Sequence, residues 1–498
     1  MISLLPTELW LAIFLNLSQD ALKALSLTSR GFRTLTLPSL VSDFTFQPYG
    51  VYGNHHYVTS WESFPQPEVD RSLQRLAFWA SDAISPLVRS CVLEIRKHVV
   101  HRSPTPKHLL RDALFGSLGR FSALQRFRAH HIEFTQAALS AMSSLRLVDL
   151  TLLWCDFAKG EDVDDSSITL NVSEFSFHGD SKAQSRWIAL LRTDNLRSLA
   201  LDSPSMEDDI PSFPYVETLS VAINATQLPE IIPFLSKFPG VQTLTMPPLY
   251  SQSTPLKPLD PAHIDLRGIF PSLNSFVGPA GALSLFTPLS TIESIKVLEC
   301  PTPQDLLASL QLCLPAEHIS SFEASFSDLT TCQLAELFAL LPGLRKLRLR
   351  IAKYRHHSSE SEAASFIIRM TKEFIAPPGL THLALTWDSR DDTPGLSEKE
   401  LRSTLSFLKT RCPDIRVVWL DGRLFFLSWR RGEEERVASS LGKFSISRMN
   451  ALFIGVQSSP IGCVGILSKF GGFHEPRGGL EEDTELNQEK KNTVVRRL

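Results

Sequence analysis

Short apolar triplets punctuate the chain, with two residues between the first and second members and one between the second and third. Twelve such windows start at Leu124, Leu145, Val172, Leu196, Val216, Val241, Leu273, Ile292, Ile319, Leu344, Leu380 and Ile415. With 43% hydrophobic residues, chance supplies such a triplet at roughly one position in twelve, so the windows need context. Six carry a proline two residues upstream (Pro214, Pro239, Pro271, Pro342, Pro378, Pro413), and Gly240, Gly343 and Gly379 follow three of these. Proline cannot continue a helix, and Pro-Gly marks a turn. Helical patterns precede several of them. Leu334, Leu337, Phe338 and Leu341 follow helical spacing, and Ser397 with Glu400 forms a capping box, with Leu396 and Leu401 placed as a hydrophobic staple. The predicted unit is helix, proline turn, short strand, repeated every 19 to 36 residues between 88 and 422.

A different pattern opens the chain. From Leu9 to Leu17 almost no polar face remains, behind Pro6 at a first helical position and Glu8 in a first turn. Ser18 is placed to cap a second helix, with Asp20 in its first turn and Ala21, Leu22, Ala24 and Leu25 on its inner side. A third helix is predicted from Ser29, carrying Phe32 and Leu35 and stopped by Pro38. A helix apolar all round must be buried on several sides. Three short helices cannot supply that cover, since chains below about 40 residues rarely hold a core unaided. The surplus apolar surface asks for a partner. The rival reading, an ordinary helical hairpin capping the next domain, buries the same residues within the chain.

Between these parts, residues 43–87 read as an irregular bridge whose aromatics (Phe44, Phe46, Tyr49, Tyr52, Tyr57, Trp61, Phe64) plug the join, followed by a helix over 73–88. Residues 423–498 read as a tail: a charged turn around Arg430–Arg436, a broken apolar stretch, then a disordered end rich in glycine and charge.

Composition narrows the function. Formal net charge is −3 and pI about 6.5, which gives no argument for nucleic acid or a membrane surface, and no run approaches 18 apolar residues. The seven cysteines are scattered without a C-x-x-C and read as reduced core thiols of a cytoplasmic or nuclear protein. Against a signal peptide stand Glu8, the early Pro6 and the lack of Lys or Arg before Lys23. Phosphate-cradling, dinucleotide, zincin and nucleophile-elbow motifs are missing, and His55-His56, His130-His131 and His356-His357 have no third ligand at suitable spacing. The acidic runs Glu161–Asp165 and Glu207–Asp209 read as solvated turns. No enzyme, cofactor or metal is expected.

Two resemblances follow from these residues. Leu5-Pro6-x-Glu8-Leu9, then Ile13, Leu17, Leu22, Leu25, Leu27, Arg30, Phe32 and Leu35, resemble the F-box motif over residues 3–41, with Thr28 standing where that family more often has an apolar residue. The windows resemble leucine-rich repeats, whose usual period is 20 to 29 residues. The asparagine or cysteine expected after the last leucine appears only at Asn224 and Cys300, so the curvature should be less regular. The implied fold is α/β: an F-box-like three-helix module (1–42), then an irregular leucine-rich-repeat-like solenoid (88–422). The implied function is the substrate-recognition subunit of a Skp–cullin–F-box ubiquitin ligase, which is non-catalytic and works by proximity. Leu5, Pro6, Leu9, Ile13, Leu17, Leu22, Leu25 and Phe32 would dock on the Skp adaptor, and through it a cullin, or pack the helices. The alternative is a repeat scaffold that binds protein without ubiquitin chemistry. Alternation places Arg126, Arg128, His130, Lys346, Arg348, Arg350, His382 and Trp419 on the concave face, where the cations suit an acidic or phosphorylated protein substrate.

Overall fold

The computed structural model describes residues 5–14, 16–52, 60–62, 64–97, 108–158, 168–202, 210–222, 231–247, 266–286, 289, 291–300, 302–311, 316–326, 329–352, 363–373, 375–388, 396–422 and 425–439. Three helices come first: α1 (Thr7–Phe14), α2 (Gln19–Thr28) and α3 (Arg30–Leu40). The hydroxyl of Ser18 caps α2 by accepting from the Ala21 N–H, and that of Ser29 caps α3 by accepting from Phe32. Pro38 does not stop α3. It lies in the last turn, where its missing N–H removes a single hydrogen bond, and the helix runs on to Leu40, closed by the Val41 N–H on the Leu37 carbonyl. Trp10, Phe14 and Phe32 form an aromatic knot with centroids 5.0 to 6.0 Å apart, and among the described residues of the three helices only Phe14, Leu22 and Thr36 are buried.

The rest of the described chain is a mixed α/β structure built on one open sixteen-stranded sheet whose strands lie in chain order. Strands β1 (Asp43–Phe46), β2 (Ser90–Leu93), β3 (Arg126–His130), β4 (Asp149–Leu153) and β5 (Glu174–His178) begin it. Then come β6 (Ser198–Asp202), β7 (Thr218–Ala222), β8 (Thr243–Thr245), β9 (Ser275–Gly278), β10 (Ser294–Cys300) and β11 (Ser321–Phe326). It ends with β12 (Lys346–Ala352), β13 (His382–Asp388), β14 (Val417–Gly422), β15 (Phe425–Arg430) and β16 (Arg436–Ser439). Every neighbouring pair is parallel except the last two, where β15 and β16 turn back antiparallel.

One apolar column crosses the sheet in register: Phe44, Cys91, Phe127, Leu150, Phe175, Leu199, Leu219, Leu244, Phe276, Ile295, Phe322, Leu347, Leu383 and Val418. All are buried in a single continuous core. The same column corrects one window. Leu145-x-x-Val148-x-Leu150 is not the packed triplet, because Val148 is 44% exposed. The ladder selects Leu147, Leu150 and Leu152, two residues on, and all three are buried. In Leu-Arg-Leu-Val-Asp-Leu either register satisfies the apolar pattern, so pairing with β3 decides. Two further triplets, Val41-Phe44-Phe46 and Val88-Cys91-Leu93, pack in the same way. Residues 43–46 are therefore not irregular bridge but the sheet's first strand, and β15 and β16 carry it past residue 422.

A backbone device joins the units. Just before each of the strands β1 to β13, one carbonyl accepts two successive N–H groups of the next unit: Gln125 O takes Val148 and Asp149, and Arg345 O takes Thr381 and His382. The same bond pair recurs at carbonyls from Ser42 to Thr381, a tie made by backbone groups alone. Asn224 lies outside the described residues, and Cys300 sits in β10.

Helices α4 (Gln66–Trp79), α5 (Thr331–Leu340) and α6 (Glu398–Arg411) cover the apolar column at three points. The Ser397/Glu400 capping box is formed, and so is a second one, Thr330 with Gln333. α4 starts seven residues before the predicted helix and ends at Trp79, whose ring packs 4.8 Å from that of Phe44. Burial raises the thiols of Cys91, Cys155 (to about 12) and Cys412 (to about 11), whereas Cys332 is exposed, a departure from the all-core expectation. Residues 440–498, like the predicted runs 161–165 and 207–209 and the pairs His55-His56 and His356-His357, lie outside the described residues.

The Pro-Gly turns have a steric basis. A Cβ on Gly343 would sit within contact of the Glu317 carbonyl oxygen at 1.9 Å, and one on Gly240 at 2.2 Å from Pro214 O, so the previous unit's backbone passes where a side chain would be. At Gly379 the nearest atom is the Arg345 side chain at 4.0 Å. Gly343→Ala is expected to lower stability by about 2 kcal/mol or more, and Gly379→Ala by less than about 1 kcal/mol. Denaturant unfolding of the two variants side by side checks the difference.

Candidate functional site: an apolar helix face and a charged sheet face

Two surfaces stand out. On α1, Leu9 is 49% exposed, Ile13 43% and Leu11 41%, with Leu5 ahead of the helix at 40%. Pro6 is exposed too, and Leu27 at the end of α2 is 88% exposed. Leu17, Leu25 and Phe32 are half-buried, and Leu22 is buried against its neighbours. The eight residues thus divide: Leu5, Pro6, Leu9 and Ile13 form an open apolar strip, while Leu22 and Phe32 pack the helices. Such strips on a folded surface mark contact sites.

The second surface is the polar face of the sheet, formed by residues alternating with the buried column. Lys346, Arg348 and Arg350 are exposed on β12, and His382 lies directly opposite Lys346 on β13. Glu323 on β11 is the acidic neighbour: Lys296 Nζ reaches it at 2.8 Å and Arg348 at 3.8 Å. His382 Nδ1 lies 2.8 Å from the Thr381 hydroxyl, which itself donates to the Arg345 carbonyl. That hydroxyl oxygen therefore accepts from Nδ1–H. Burial, and then Lys346, Arg416 and Arg430, hold the His382 pKa below its ordinary value, which reports a positive local field.

At the other end, Arg126 is exposed and pairs with Asp43 at 3.5 Å, and Arg128 is half-buried. Next to them burial raises the carboxyl pKa of Asp149 and of Glu174, the latter also through Asp149 opposite it. This end is mixed in sign, unlike that around β12.

Trp419 departs from its expected place. It is 6% exposed, its ring set edge-on to Phe426 at 4.9 Å, because β15 folds back antiparallel and covers it. The repeat pattern carries no sign of that cover, since the returning strand lies beyond its expected end at residue 422.

One arrangement had no precedent in the sequence reading. Ser176 Oγ lies 3.1 Å from His178 Nε2, and His178 Nδ1 lies 2.9 Å from Asp202 Oδ1. Ser-x-His on one strand, with Asp one repeat later at the same register, is the signal that could have found it. Ser176 is only 5% exposed, so its hydroxyl serves to orient the imidazole. Among the described residues no group of three or more His, Cys, Asp or Glu is placed to hold a metal ion, and no helix is long and apolar enough to cross a membrane.

The field at His382 makes a measurable prediction. Its imidazole is neutral at neutral pH and charges only below the usual histidine range, so stability falls as pH drops from about 6.5. An anion held by Lys346 and Arg430 would reverse that shift. Titration of His382 by NMR should give a depressed pKa that rises on adding inorganic phosphate; an unmoved value would deny anion binding there. Compared with models of known protein families and with curated proteins, the chain matches neither a family model nor a curated protein.

Proposed function

We propose that the chain is the substrate-recognition subunit of a Skp–cullin–F-box ubiquitin ligase. The observation that carries this reading is the open apolar strip Leu5, Pro6, Leu9 and Ile13 at the start of a module packed inside by Trp10, Phe14 and Phe32, with Leu11 exposed as well. On this reading the three helices are an F-box-like module that docks on the Skp adaptor. The sheet and its helices are a leucine-rich-repeat-like solenoid that presents a target protein. The role is non-catalytic: holding a target near the ubiquitin-charged enzyme raises the effective concentration of the reacting lysine. The compartment that fits is cytoplasm or nucleus.

The cationic face formed by Lys346, Arg348, Arg350 and Lys296 supports an acidic or phosphorylated target. Planar guanidiniums spaced two residues apart on one strand suit carboxylate or phosphate groups. Arg126 and Arg128, among carboxylates, suit a target segment of mixed charge.

Affinity capture tests the two surfaces separately. The intact chain should recover the Skp adaptor and a cullin, and Leu9→Asp with Ile13→Asp should lose both while leaving the fold intact. Reversing Lys346, Arg348 and Arg350 to Glu should keep the adaptor and lose the ubiquitinated target. Recovery of the adaptor without a cullin would favour a scaffold outside ubiquitin chemistry, and recovery of neither would end the reading.

A further inference from the structure

Among the described residues only His131 and Trp154 combine a side chain with a positive φ, 54° at each. That left-handed backbone is an outlier for a bulky residue and persists only where the surroundings enforce it. The two occupy the same place in successive units, one step past the paired residues His130 and Leu153. Hydrogen bonds fix the turn: the Trp154 N–H donates to the His178 carbonyl at 2.5 Å, the His131 N–H to Leu153 at 2.7 Å, and Tyr49 Oη to the His131 carbonyl at 2.6 Å.

What the strained turn holds is a ring stack. The His131 and Trp154 rings lie 13° from parallel with centroids 6.2 Å apart, and the His130 ring backs His131 at 4.5 Å. The core does not use the indole, which is 58% exposed. Burial and then His130 lower the His131 pKa to about 4, so the stack is neutral at neutral pH. In each of the two units a buried residue (Ile132, Cys155) is followed by an acidic one, Glu133 half-buried and Asp156 exposed, and these two lie opposite each other in register. A neutral, electron-rich ring pair beside a carboxylate pair complements a planar cation: the ring face attracts it and the carboxylates neutralise it. The chain uses the same pairing next door, where the Arg186 guanidinium lies 4.0 Å over the Phe157 ring. The buried Arg111 guanidinium is held by Asp112 and the Glu133 carbonyl oxygen.

We propose that Trp154, backed by His131 and flanked by Asp156 and Glu133, is a platform that binds an arginine side chain of a partner protein. The inference stands whether or not the chain joins a ubiquitin ligase, and it concerns a different part of the sheet from the cationic face around β12. Charge decides the occupant: an acidic segment meets repulsion here, and a neutral aromatic leaves the carboxylates without a counter-charge.

The test uses the full chain with fluorinated tryptophan and fluorine NMR, the Trp154 resonance being identified by its loss in Trp154→Phe. The probe is the blocked tripeptide acetyl-Gly-Arg-Gly-amide, with its uncharged citrulline counterpart as control. The arginine peptide should shift the Trp154 signal saturably and the citrulline peptide should not. Affinity should fall stepwise as more fluorines withdraw charge from the indole, a trend that mere hydrophobic contact does not produce. Asp156→Asn keeps an oxygen for the Phe157 N–H that Asp156 Oδ1 now accepts at 2.8 Å, and should weaken binding by about two- to fivefold. Equal shifts with citrulline, an affinity indifferent to fluorination, or no shift at Trp154 would each overturn the proposal.

Discussion

The sheet from Asp43 to Ser439 depends on one constraint: each strand presents an apolar face that its own unit cannot cover. A helix and turn of ordinary length shield only part of one strand, so each unit must lean on the units beside it. In-register pairing makes that leaning specific. Phe127 must face Leu150, and Leu150 must face Phe175, or the column breaks and a one-residue slip sends the apolar side chains to solvent. The shared carbonyl before each strand enforces the same register through the backbone. Because this device uses no side chain, the units tolerate wide variation in length and sequence, which accounts for their irregular spacing.

The same logic explains why the polar face is free to vary. With the fold secured on one side, the alternating positions carry small hydroxyls such as Thr151, Ser176 and Ser220 alongside charged side chains. Isolated exposed ion pairs such as Arg126–Asp43 add little stability. Cations predominate around β12 and β13, whereas β3 to β5 carry mixed charge.

The opening helices obey the opposite rule. Trp10, Phe14 and Phe32 meet one another, Phe14 and Leu22 stand outside the large core, and Leu37 and Leu40 join the module to it. That leaves Leu5, Leu9, Leu11 and Ile13 open rather than turned against the sheet. Surplus apolar surface is costly in water, and a partner that covers it gains the corresponding burial free energy, about 25 cal/mol for each Å².

Local rules were enough for much of this structure. Capping hydroxyls at Ser18 and Ser397, proline turns, and triplets such as Leu344-Leu347-Leu349 are decided by neighbours a few residues apart, so the sequence alone determined the α/β unit and most of its core. It also indicated that Lys346, Arg348 and Arg350 share a face, since alternation along a strand is local. Pairing was beyond it. The choice of Leu147 over Leu145, the recruitment of Phe44 and Phe46 into the sheet, and the His178–Asp202 contact join residues more than twenty positions apart, and the cover over Trp419 comes from a strand that folds back just after it. At Leu145–Leu150 two local patterns were equally satisfied, and only packing against the neighbouring strand distinguished them.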